Sequence, residues 1–177
     1  MPYERENECG QLVYRLLITI DNPESGRYYI CMVTDTVETD GTAAATGKFM
    51  RQMVERYYRD MLPWHDMSFE DVFECIKNIP FRPDPVQTET LMRPLYTMTG
   101  QGWGGDCDDK AIAIASWAKL NNLPFRFISV RRKDRDTLHH VYAEIFFGRS
   151  WVRADCTYCI NSPGAKGLPY VEYRIIG

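Results

Sequence analysis

Apolar residues recur along the chain with two different periods. Between Ala43 and Met61, Phe49, Met50, Met53, Val54, Tyr57, Tyr58 and Met61 return every three or four positions, which predicts an amphipathic helix that Pro63 stops. Ser68 begins a second helix, with Asp71 three residues on as a capping box and Phe69, Val72, Phe73, Ile76 and Ile79 as its stripe. Pro80, Pro83 and Pro85 end it and impose an extended connector. Nearer the start the period is two: Leu12, Tyr14, Leu16, Ile18 and Ile20 alternate, Asp21 to Gly26 is turn chemistry, and Tyr28 to Val33 resumes a β-rich run. That predicts a β-hairpin. After a flexible approach at Gly102 to Gly105 comes Ala111 to Ala118, apolar nearly all round and so a buried central helix, with Asp106 as its N-cap and Asn121-Asn122 at its end. Strands are expected at Phe125 to Val130, Leu138 to Phe147 and Trp151 to Asp155. One buried helix leading into an antiparallel meander is an α+β arrangement.

Composition narrows the picture only a little. A chain of 177 residues with 45% hydrophobic content suits a single domain, residues 1–177, with no repeat and no linker beyond the Pro-rich connector. Net charge is -3 with no long basic run, so neither nucleic acid nor a membrane surface is an expected partner. The first residues hold no apolar stretch, no run reaches membrane-spanning length, and a cytoplasmic protein is expected. Six cysteines in a chain of this size are expected as thiols rather than as a disulfide framework. Thr36, Glu38 and Asp40 before Gly41 imitate a calcium loop, but Gly47 stands where its bidentate Glu belongs, which excludes it.

Candidate chemistry starts from Cys107. It falls in the first turn of the buried helix, where unpaired N–H groups and the helix dipole favour a thiolate. Asp106, Asp108 and Asp109 oppose that, since neighbouring negative charge raises a thiol pKa, so a paired imidazolium is required. Of three histidines, His65 lies in a loop and His139 and His140 begin the middle strand. A two-residue loop at Gly148-Arg149 pairs Phe147 with Ser150; counting back puts Tyr142 opposite Asp155 and His140 diagonally beside it on the same face. A loop one residue longer or shorter separates them, and a slip by one brings in His139 instead. A cysteine, a histidine and a carboxylate so arranged are a nucleophile, its base and the group that orients the base.

Gly105-Asp106-Cys107-Asp108-Asp109-Lys110-Ala111, His140-Val141-Tyr142-Ala143-Glu144 and Trp151-Val152-Arg153-Ala154-Asp155 resemble, in order and spacing, the three motifs of the transglutaminase-like superfamily. The resemblance covers about Gln87 to Tyr158, leaving residues 1–80 as an elaboration. It implies a papain-like α+β core with Cys107, His140 and Asp155 as catalytic triad. The Gly-Asp-Cys-Asp-Asp form looks like a bacterial and bacteriophage branch grouped with cysteine peptidases, virion-associated if phage-encoded. Cys156 departs from the family, which often has Pro or Thr after the Asp.

Papain-like layouts also suggest Gln87 as a side-chain donor to the oxyanion, with Gln101 and Trp103 as rivals. Cys156-x-x-Cys159 could form half of a zinc site with Cys107 and a histidine, but the other half is missing, so packed thiols are expected, with no metal and no cofactor. The expectation is thiol-dependent acyl transfer on a peptide or protein substrate, hydrolysis before cross-linking. The alternative is a catalytically silent module of the same fold, serving structure or assembly.

Overall fold

A computed structural model describes residues 5–6, 12–13, 43–84, 90–99, 104–165 and 169–177. Strands β1 (Arg5–Glu6) and β2 (Leu12–Val13) pair antiparallel, a pairing the sequence does not predict; apart from Leu12–Val13, the expected hairpin of residues 12–20 with 28–33 lies outside the described residues. Among the described residues, no helix is long and apolar enough to cross a membrane.

Helix α1 (Ala43–Tyr57) buries Met50, Met53, Val54 and Tyr57, the stripe the period predicts. Pro63 does not end the winding. The chain tightens into a 3-10 helix over Tyr58–Trp64 with Pro63 inside it, and a 3-10 turn is a frequent way for an α-helix to finish. Helix α2 (Phe69–Lys77) starts at Ser68, whose Oγ accepts a hydrogen bond from the Asp71 N–H at 3.1 Å. A short helix that the sequence does not predict, α3 (Pro94–Thr99), follows. It opens with proline, whose missing N–H costs nothing at that position. Arg93 and Asp60 dock it on the 3-10 segment through bonds of 2.6 and 2.7 Å.

Helix α4 (Cys107–Leu120) is the centre of the molecule, with Ala111 to Ala118 buried throughout. Its Trp117 indole donates to the Trp64 carbonyl at 3.1 Å, a buried bond that fixes the helix against the 3-10 segment. The sheet behind it has the order β5-β4-β3-β6, all antiparallel: β3 (Phe125–Arg132), β4 (His140–Phe147), β5 (Ser150–Ala154) and β6 (Tyr170–Ile176). Phe127, Val141, Ala143, Ile145 and Ala154 join α1, α2 and α4 in the main core. Ile128, Val130, Tyr142 and Tyr170 form a smaller cluster, and the two-residue alternation of strands puts it on the opposite face. The result is the α+β core expected, enlarged by β6, which the sequence reading does not predict.

Candidate active site

Three local structures carry the candidate residues. The first is the approach to α4. The sequence suggests a flexible glycine run, but Gly104 and Gly105 are fixed: Gly105 N–H donates to the Pro80 carbonyl at 3.1 Å, and Arg82 N–H donates to the Gly105 carbonyl at 3.3 Å. This is a short parallel bridge between Phe81 and Gly105, made just before the N-cap Asp106. Gly104 adopts φ +119°, and a Cβ there would run into the Pro80 carbonyl oxygen, so glycine is required.

Cys107 is the first helical residue and is half-buried. Two of the acidic neighbours that the sequence sets against a thiolate are not open to solvent. Asp108 and Asp109 are both buried. Burial, a hydrogen bond with Asp106 and the neighbouring charges push the Asp108 carboxyl well above the usual range. Asp109 is pushed up by burial and by Asp106, against the pull of two backbone donors. Those donors are the Met92 N–H at 2.6 Å and the Asp106 N–H at 3.4 Å. Asp109 therefore ties the segment before α3 to the start of α4. A neutral acid opposes a thiolate far less than a carboxylate does.

The second local structure is the β4–β5 hairpin. Phe147 pairs with Ser150 across Gly148-Arg149, and Ala143 pairs with Ala154, the register counted from a two-residue loop. His140 and Asp155 come together: Nε2 lies 3.1 Å from both carboxylate oxygens, with the two residues 5% and 2% exposed. His139 is exposed, its Nδ1 3.3 Å from the Thr137 carbonyl. An ionised Asp155 only accepts, so Nε2 carries the hydrogen and Nδ1 is the nitrogen left for another partner.

The third is a shell of residues that sequence reasoning does not single out. Arg153 donates to Asp155 Oδ2 at 2.7 Å, the Thr157 N–H donates to Oδ1 at 3.3 Å, and the Tyr170 hydroxyl donates to Oδ2 at 3.5 Å. Burial pushes the Asp155 carboxyl up, but the bonds from His140 and Arg153 outweigh it and hold the group below the usual range. Tyr142, Tyr158 and Tyr170 surround the imidazole at ring separations of 6.3, 5.1 and 5.8 Å. Burial raises the Tyr158 hydroxyl, and the nearby charges of Asp155 and Cys107 add to this. Tyr158 thus packs against His140 and senses the charges of both Asp155 and Cys107. Arg153 was legible as the i−2 strand neighbour of Asp155, whereas Tyr170 rides on the unpredicted β6.

Gln87, Gln101 and Trp103, the oxyanion candidates, lie outside the described residues. Cys156 is buried and Cys159 exposed, both as thiols, and among the described residues they belong to no group of three metal-ligating side chains. The group of that kind is Asp106, Asp108 and Asp109, with ligand atoms within 4.8 Å of one another. Their bonds to one another and to Met92 account for it as the scaffold of the helix start.

No curated protein matches the chain. A solved structure titled as a "Putative Cysteine Protease" from Cytophaga hutchinsonii aligns at 15% identity and a TM-score of 0.38, over 65% of this chain and 38% of that one. The chain therefore spans well under half the length of that protein. A family model, the transglutaminase-like superfamily core, matches residues 69–156, a span that takes in Cys107, His140 and Asp155. Residues 69–156 are accordingly similar to the core of the transglutaminase-like superfamily.

Proposed function

We propose that the protein catalyses thiol-dependent acyl transfer, with hydrolysis of a peptide or amide bond as the reaction. The supporting observation is the buried His140–Asp155 pair, held at 3.1 Å with one imidazole nitrogen left over, in a domain whose central helix begins at Cys107. The Cys107 thiolate attacks the carbonyl carbon. As the C–N bond breaks, His140 gives its proton to the departing amine, leaving a thioester on Cys107. Water, deprotonated by His140, then attacks the thioester; the C–S bond breaks and the thiolate returns. Asp155 keeps the imidazole in the right tautomer and orientation throughout. The backbone N–H of Cys107, in the first turn of α4, is the proposed main-chain donor to the developing oxyanion. Gln87 remains the proposed side-chain donor beside it.

The test compares thiols within one molecule. Iodoacetamide at near-neutral pH should alkylate Cys107 at least tenfold faster than the exposed Cys159, with the rate collapsing in His140→Ala. Cys107→Ala should abolish hydrolysis of a peptide or amide library. Equal labelling of Cys107 and Cys159, with hydrolysis undiminished by Cys107→Ala, would sink the enzyme reading and favour a silent module. If acyl groups pass to added amines faster than to water, the reaction is cross-linking instead.

A further inference from the structure

We propose that Arg153 is a positioning residue for this reaction, clamping the Asp155 carboxylate in the orientation that presents His140 to Cys107. The proposal rests on the acyl-transfer reading above. Arg153 and Asp155 are two residues apart at the end of β5, so the strand period puts both side chains on one face. Nη2 meets Oδ2 at 2.7 Å, and the two side chains are 10% and 1% exposed. The guanidinium lies against two rings, 4.3 Å from Tyr142 and 4.9 Å from Tyr170, which stack on each other. Cation–ring packing of this kind limits the rotamers of a long side chain and suits arginine over lysine.

Asp155 needs such a clamp. A carboxyl so deeply buried favours its neutral form unless it is paired. A neutral acid carries a hydrogen of its own and becomes a poor acceptor for His140 Nε2–H, which frees the imidazole to rotate or change tautomer. The groups facing Asp155 are His140 and Tyr142 from β4, Arg153 from β5, Cys156 and Tyr158 from the following loop, Tyr170 from β6 and Lys110 from α4. Lys110 directs its ammonium at the Lys77 and Ile79 carbonyls, at 3.2 and 2.6 Å. The Tyr170 hydroxyl and Thr157 N–H bonds, at 3.5 and 3.3 Å, are long. Arg153 is thus the permanent cation bonded to Asp155.

A cavity of about 760 Å³ is lined by Arg153, Tyr170, Glu144 and Trp151, which gives a small planar cation a route to the Arg153 position. The experiment uses the full chain with Arg153→Gln, Arg153→Lys and Arg153→Ala. Two properties are followed against pH: the Asp155 carboxyl carbon by NMR, and the rate of Cys107 alkylation. Arg153→Gln should raise the Asp155 midpoint by at least one pH unit, and the acid limb of the alkylation profile should move up with it. At a pH inside that limb, the rate should fall by about tenfold. Arg153→Lys should lie between, and millimolar methylguanidinium should restore Arg153→Ala where equimolar potassium chloride does not. A folded Arg153→Gln, or Arg153→Lys if the former does not fold, with a wild-type Asp155 midpoint and alkylation profile overturns the proposal. If Cys107 in the wild type reacts no faster than Cys159, the acyl-transfer reading fails, while the Asp155 titration still decides the role of Arg153.

Discussion

Cys107 stands among carboxyl groups that look hostile to a thiolate until their burial is known. Asp108 Oδ1 accepts the Asp109 N–H at 2.7 Å while its carboxyl is hydrogen-bonded to Asp106. An asparagine reproduces the neutral form of that arrangement, an oxygen that accepts and a nitrogen that donates. Asp108→Asn should therefore leave stability at neutral pH unchanged or improved. Asp109 accepts two backbone N–H bonds on its two oxygens, and asparagine can keep only one. Asp109→Asn should cost about 1–3 kcal/mol in urea denaturation, the range for a buried donor left unsatisfied. The residues that alternation and helix position bring out (Cys107, His140, Asp155) were legible in the sequence because each follows from local geometry. The upward shift of the Asp108 carboxyl was not, because it comes chiefly from burial by the surrounding fold.

At the scale of elements, periodicity found α1, α2, α4 and β3 to β5 because each buries one face or all faces of a regular structure. The reading does not include β6, and the face it buries is not legible from the period. Val171, Tyr173 and Ile175 alternate with Glu172 and Arg174, a strand period, but it is the apolar set that is exposed, so the pattern marks the wrong face as the inner one. It missed α3 because six residues are too few for a period to emerge. The element most misread is the approach to α4, which is a hydrogen-bonded bridge to Pro80 and Arg82 rather than a flexible run. Gly104→Ala tests the difference. A flexible approach would absorb the methyl group at a cost within about 1 kcal/mol. A fixed bridge at φ +119°, with the Pro80 carbonyl in the way, should lose about 2–4 kcal/mol by combining backbone strain with a steric clash. Because the bridge sets where α4 begins, the alkylation rate of Cys107 should fall in the same variant.

Across the whole molecule, two populations of buried carboxyl groups pull stability in opposite directions with pH. Asp155 titrates below the usual range in the folded state, held there by His140 and Arg153 against the effect of burial. In the interval between that lowered value and the unfolded value of about 3.9, the unfolded chain binds the extra proton, so stability rises with pH. Its contribution is complete above about pH 5 and is lost as the medium is acidified through the folded value. Asp108 is the reverse case, pushed up chiefly by burial. From about pH 4 upwards the folded state holds the proton that the unfolded chain has released, so stability falls with pH, by at most about 1.4 kcal/mol per pH unit. The two carboxyls are distinguishable by substitution. Asp155→Asn should be close to wild type in stability at the acid end and fall behind as pH rises to about 5, after which the gap stays constant. Asp108→Asn should start level and gain on the wild type as pH continues upward. Urea denaturation of the three proteins from about pH 3 to 8 measures both trends. Parallel stability curves for Asp108→Asn and wild type would show that Asp108 is already ionised, and that Cys107 faces the full opposing field the sequence implies.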